Sequence, residues 1–190
     1  MARITFPSPE TMTEEQRRVY DAIVSGPRGK IQGPLRAALH NPALAERWSA
    51  LGALLRYSTL LTPRQSELAI LVTGRACNSP FEWYAHRLEA EKAGIEQPVI
   101  EAILAQATPP ALTPQDEAVW QYALELNRHK SVSDKTYANA LALFSERTVM
   151  ELTALVGYYT MVAMTLNCHE IPLPGGVAPA FVLPQHGALK

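Results

Sequence analysis

Apolar positions along this chain recur at three- and four-residue intervals and almost nowhere at alternating ones. Val19, Tyr20 and Ile23 mark one side of a 3.6-residue period, as do Leu44, Trp48, Leu51 and Leu55, and later Val119, Trp120, Ala123 and Leu126. No long alternating β-branched run and no Asn-Gly or Asp-Gly hairpin turn interrupts them. The pattern predicts an all-α fold of about eight helices. Their expected spans are Glu14–Val24, Leu35–His40, Pro42–Tyr57, Pro63–Ala76, Pro80–Ala93, Gln97–Gln106, Pro114–Arg128, Asp134–Phe144 and Arg147–Leu166, the short ones counting least. The last is apolar on nearly all sides and is expected to be central.

Start signals support these spans. Thr62-Pro63-Arg64-Gln65 puts Thr at an N-cap, Pro at the first helical position and Gln three residues beyond the cap. Thr113-Pro114 and Ser79-Pro80 repeat the device, and Ser133 and Ser145 are further caps. Gly94 reads as a helix stop. The chain divides as one domain with three stretches. Residues 1–40 hold a first helix and the Gly/Pro-rich loop 26–34, whose Arg28 and Lys30 could reach an anionic substrate. Residues 41–170 form the helical core, and 171–190 a Pro-rich tail. That tail carries Val177, Phe181, Val182 and Leu183 and is expected to lie on another surface, at a contact between copies. A faint echo between 62–72 and 145–156 fits either two related halves or chance similarity of two apolar helices.

Composition narrows the classes. In 190 residues, 17 Lys+Arg against 18 Asp+Glu leave a net charge of −1, without the basic excess of a nucleic-acid binder. Apolar residues at 47% are ordinary for a globular chain. No uninterrupted apolar run reaches membrane-span length, and the first ten residues lack an apolar secretion core, so a soluble, cytoplasmic protein is expected. The two cysteines, 91 positions apart, form neither a disulfide framework nor a CxxC motif.

The candidate chemistry lies across the pair 63–76 and 80–93. Glu67 is embedded in an apolar run, Leu68 to Val72, where a carboxylate is either at a solvent edge or buried and paired. Glu82 and His86 stand four apart and share a helix face. Only Cys77-Asn78-Ser79 separates the two helices, so they should form an antiparallel hairpin that brings Glu67 and His86 to comparable depth. A carboxylate would hold the imidazole in one tautomer and raise its basicity for proton transfer near neutrality. From spacing alone, a solvated Glu82–His86 pair with Glu67 at the edge is the plainer reading.

Glu67, then Cys77-Asn78-Ser79-Pro80-Phe81-Glu82-Trp83-Tyr84-Ala85-His86, then Ala90 and Ala93-Gly94 resemble the core of the carboxymuconolactone decarboxylase and alkyl hydroperoxidase D superfamily. The resemblance spans most of residues 40–175. It implies an all-α fold that assembles into trimers or hexamers, and a small-molecule substrate. The peroxidase branch has a CxxC pair where this chain has Ser79 and Glu82, and Cys77 sits two positions early. Thiol peroxidase chemistry needs an attacking thiolate and a resolving thiol, so it does not carry over. The non-redox, decarboxylase-like branch fits better. Its type reaction releases CO₂ from a carboxylated unsaturated lactone.

The resemblance thus implies a cofactor-free acid–base enzyme with His86 as proton donor and acceptor, Glu67 orienting it and Glu82 as a second acid or base. Cys77, Ser79, Trp83 and Tyr84 are the expected substrate contacts, and one of Arg56, Arg64, Arg75 and Arg87 the expected cation for a substrate carboxylate. No metal is expected, Cys168-His169-Glu170 lacking ligand spacing. His40, His129 and His186 read as helix-end or tail residues. Two other classes stay open: a thiol-dependent alkyl hydroperoxide reductase using Cys77 with Cys168, and a non-catalytic helical scaffold. In either case a homo-oligomer, trimer-based or dimeric, is expected.

Overall fold

The computed structural model describes residues 2–26 and 29–183. Arg28 and His186 lie outside them. Among the described residues there are nine α-helices and no strand. They are α1 (Glu14–Ser25), α2 (Pro34–Ala38), α3 (Pro42–Tyr57), α4 (Pro63–Ala76), α5 (Pro80–Lys92), α6 (Gln97–Leu104), α7 (Pro114–His129), α8 (Asp134–Leu143) and α9 (Glu146–Cys168), followed by a 3-10 turn at Pro174–Gly176.

The helix starts have local causes. Thr62 accepts a hydrogen bond from the Gln65 amide while the Gln65 side chain accepts from the Thr62 amide, a reciprocal box that satisfies two otherwise orphan donors. Thr13 and Gln16 form the same box at α1. Thr113, Ser133 and Ser145 each cap through their hydroxyls. Ser79 departs from expectation. It occupies the N-cap position of α5, but its hydroxyl makes no capping bond.

Two helices organise the interior. In α4 every residue from Ser66 to Gly74 is buried. This helix packs against α5, α6, α7 and α9. Helix α9 contacts α2, α3, α4, α5, α7 and α8, so the central place expected for it is the one it takes. By length and composition it could also cross a bilayer, but half of its apolar window is buried inside the fold. Packing against six other helices accounts for its hydropathy. Ala45, Leu55, Leu71, Val119 and Leu155 meet in the core between these elements.

The tail is divided. Phe181 folds back on its own chain, edge-on to Trp83 with centroids 6.2 Å apart and under the Arg75 guanidinium at 4.6 Å. Val177, Val182 and Leu183 remain exposed.

One ionic knot fixes the end of the α4–α5 pair remote from its turn. Arg64 donates from Nε to Asp116 at 2.8 Å, to Glu96 at 2.6 Å, and to the Gly94 carbonyl. It thereby joins α4, the α5–α6 turn and the start of α7. Asp116 is 3% exposed, and removing the partner of a buried charge leaves an uncompensated ion. Arg64→Ala should therefore lower stability by about 2–4 kcal/mol, read as a fall in the urea midpoint. Arg87→Ala, which breaks the exposed pair with Glu91, should change it by less than about 1 kcal/mol.

Candidate active site

The α4–α5 hairpin builds the site. Its turn is closed by Asn78 at φ 48°, a left-handed conformation that asparagine tolerates better than most residues. The Asn167 side chain of α9 donates to the Cys77 carbonyl at 2.9 Å and pins the turn to the core. Gly74 lets the two helices close on each other. A Cβ there would lie 3.2 Å from the Glu82 Cβ, tighter than ordinary packing. The chain past the turn therefore runs back along α4 with Glu82 and His86 on the facing side.

Glu67, Glu82 and His86 are all buried. The His86 Nδ1 lies 2.7 Å from the Glu67 Oε2. Facing a carboxylate acceptor, Nδ1 carries the proton and donates. That leaves Nε2, 3.4 Å from the Glu82 Oε2, as the nitrogen for proton exchange. Arg56, from the last turn of α3, approaches the other Glu67 oxygen at 3.6 Å. Tyr159 of α9 stands edge-on to the imidazole with centroids 4.9 Å apart. Two carboxylates face one guanidinium and one imidazole, so the cluster is neutral when the imidazole is protonated and both carboxylates are ionised.

The electrostatics follow from this arrangement. Burial alone disfavours imidazolium, but the charge and hydrogen bond of Glu67, aided by the charge of Glu82, outweigh it and raise the His86 pKa. Glu82 lies in the first turn of α5, where the helix dipole favours a negative charge. Burial likewise pushes the Tyr159 phenol well above its ordinary value, keeping it a neutral donor. Burial of Arg56 works against its charge, and its acidic neighbours, Glu67 among them, more than restore it.

His86, Glu82, Arg56, Tyr158 and Tyr159 line a cavity of about 130 Å³, completed by the segment 32–35. Among the four candidate arginines the structure selects one. Arg64 is held in the knot above, Arg75 by the Leu104 carbonyl and Asn78, and Arg87 by Glu91. Only Arg56 among them reaches the cavity. None of Cys77, Ser79, Trp83 and Tyr84, the expected substrate contacts, lines this cavity. Cys77 ends α4 with its thiol 3.9 Å from Asn127, and burial raises its pKa. Trp83 is committed to the core beside Phe181, and the Ser79 hydroxyl is fully buried at the helix start. One helical turn separates residues that share a motif onto different faces, which is why adjacency to His86 in sequence misplaces them. Phe81 and Ala85, from the same run, are the residues that line the cavity. Gln32, Gly33 and Pro34 join them from a loop whose link to the site no spacing rule reveals. His40 bonds to the Thr5 carbonyl and His169 ends α9, both away from the cavity. Among the described residues no cluster suited to a metal ion is present.

Comparison with known proteins bears on the fold. Residues 42–125 match the model of the carboxymuconolactone decarboxylase family. No curated protein matches the sequence. Among solved structures, an uncharacterized peroxidase-related protein with an alkylhydroperoxidase AhpD core from Ralstonia eutropha superposes with a TM-score of 0.76 at 14% identity, over 94% of this chain and 97% of that one. A peroxidase-related protein from a Silicibacter species gives a TM-score of 0.76 at 12% identity, over 92% of each chain. The debrominase Bmp8, as a cysteine-to-alanine variant in complex with 2,3,4-tribromopyrrole, gives 0.74 at 11% identity, over 93% and 95%. Identities this low establish the shared helical fold, and the family match covers the hairpin that carries Glu67, Glu82 and His86. Over residues 42–125 the chain is similar to the carboxymuconolactone decarboxylase family, and its helical fold as a whole is that of the alkylhydroperoxidase AhpD-like structures.

Proposed function

We propose that this protein is a thiol-independent acid–base enzyme of the decarboxylase type, acting on a small cyclic carboxylate or lactone. One observation carries the reading: His86, locked through Nδ1 on Glu67, lines a small cavity with Glu82 at its Nε2 and Arg56 in the same wall. Loss of CO₂ from such a substrate breaks a C–C bond and leaves its electron pair on a carbon conjugated to the ring carbonyl. Arg56 supplies positive charge against that anion. The His86 imidazolium delivers a proton from Nε2 to the carbon, and the imidazole regains one from water with Glu82 beside it. Glu67 keeps Nδ1 protonated throughout, so each cycle returns the same tautomer. The debrominase of the same fold holds 2,3,4-tribromopyrrole, a single five-membered ring, and a cavity of this size suits a ring of that kind. Cys77 lies off the cavity with a raised pKa, which favours the acid–base reading over a thiol peroxidase.

Turnover of carboxylated butenolides, followed by CO₂ release, tests the assignment. His86→Gln should lower kcat by two to four orders of magnitude, the usual worth of a positioned acid–base, with the circular dichroism spectrum unchanged. Glu67→Gln should cost less, roughly ten- to a hundred-fold, because it removes orientation and charge but not the proton carrier. Cys77→Ser should leave turnover within about two-fold. Full activity in His86→Gln sinks the proposal, and activity abolished in Cys77→Ser makes the thiol the reactive group.

The raised His86 pKa also couples to stability. A group more basic in the folded state stabilises the fold fully below its unfolded pKa of about 6.5 and loses that contribution as pH rises through the folded value. The stability difference between the natural protein and His86→Gln should therefore be largest below about pH 6.5 and shrink above neutrality. Urea midpoints across pH measure it, and a difference that grows with pH contradicts the assignment.

We also propose that copies associate through the face shared by α3 and α9 rather than through the tail alone. Leu51 and Leu54 on α3 and Met150, Met161 and Met164 on α9 are exposed. The two helices are adjacent, with the Tyr158 hydroxyl donating to the Trp48 carbonyl and the Leu60 amide to Glu151. A Cβ at Gly157 would meet open space, leaving room for a neighbouring helix. Sedimentation should show an oligomer that a Leu54→Glu, Met161→Glu double variant reduces to monomer.

A further inference from the structure

The His86 cavity is too small for much more than its reacting group. A cavity of about 150 Å³ holds a benzene ring, and this one measures about 130 Å³. It shares part of its wall with a second, larger cavity of about 460 Å³, within the range of ordinary ligand sites. Gln32, Gly33 and Phe81 line both. His86, Glu82 and Arg56 line the inner one alone. Ile31, Tyr20, Arg36 and Leu173 line the outer one alone.

The partition is thin. Gly33 has φ 52° and ψ −127°, a conformation costly for residues with a Cβ. A Cβ there would come within 3.2 Å of the Phe81 ring. The Gly33 backbone on one side and the half-buried Phe81 ring, from the first turn of α5, on the other thus face both spaces. The outer walls combine Phe6, Tyr20, Ile31 and Leu173 with the polar Ser8, Gln32 and Arg36, and the Arg36 guanidinium lies over the Phe6 ring at 4.4 Å.

We propose that the two cavities form one bipartite substrate site. The inner chamber, open on one side, takes the carboxylated edge of a ring, and the outer chamber takes a flat extension of the same molecule that passes beside Phe81. Phe81 sets the length of substrate accepted. The substrate class is therefore a ring carboxylate bearing an aryl or comparable planar substituent, rather than the bare ring. The assignment of the reacting ring to the inner chamber rests on the role proposed for His86; the two-chamber geometry does not.

Calorimetric binding of benzoate and of biphenyl-4-carboxylate tests it without reference to turnover. Biphenyl-4-carboxylate should bind at least ten-fold more tightly than benzoate. The same ratio should hold in His86→Gln, so a failure of the acid–base reading leaves this result standing. Leu173→Trp and, independently, Ile31→Trp fill the outer chamber and should abolish the ratio while leaving benzoate affinity within two-fold. Equal affinity of the two probes, no binding of either at millimolar concentration, or a ratio that survives both tryptophan variants overturns the proposal.

Discussion

A carboxylate sits where the chain can least accommodate one. Glu67 lies on α4 between flanks that are wholly buried, and an isolated ion there would cost several kcal/mol or give up its charge. The fold answers with two cations from two directions: the imidazole of His86 across the hairpin and the guanidinium of Arg56 from α3. Much of the local architecture follows from that requirement. Gly74 is small so that α5 can come close. Asn78 takes the left-handed turn that brings α5 back. Asn167 ties the turn to α9. A buried ion pair of this kind is weak evidence for stability, since an apolar replacement would pack as well. Its persistence in the core fits a chemical role better than a structural one.

The same arrangement makes the two ring nitrogens of His86 unequal. Glu67 occupies Nδ1 at 2.7 Å, and the longer 3.4 Å approach of Glu82 leaves Nε2 the more weakly held. A short, strong contact on one side and a looser one on the other is what a proton carrier needs. One contact fixes the ring, and the other can be exchanged for substrate. Tyr159 packs edge-on against the imidazole from α9.

Much of this was legible in the sequence, for identifiable reasons. Helix caps act within four residues, so Thr62, Thr113 and Ser145 announce α4, α7 and α9 without any knowledge of tertiary structure. The Glu67–His86 contact was also within reach, because a three-residue turn leaves two helices little choice but to run antiparallel. Spacing could not separate a buried pair from a solvated one, since burial depends on what α3 and α9 lay over the hairpin. Contributions from distant segments were the least visible. Arg56 belongs to a different helix, and Gly33 to a loop some fifty residues before His86. Their meeting is decided by the packing of α2 and α3 on α9. The misplacement of Trp83 and Tyr84 has a different origin. A motif is read linearly, whereas a helix turns 100° per residue, so nearness along the chain does not place side chains on one face.

The division of the cavity between chain segments has an evolutionary consequence. Glu67, Glu82 and His86 all reside on one short hairpin, whereas most of the surrounding wall comes from the segment 32–35, from α3 and from α9. Substitutions in those outlying segments can reshape the space around the imidazole without disturbing how it is held. The Glu67–His86 contact and most of the wall that shapes the cavity are thus encoded in separate stretches of sequence and are free to diverge at different rates. A scaffold partitioned in this way can be retuned to new molecules by changes in its walls that leave the Glu67–His86 contact in place.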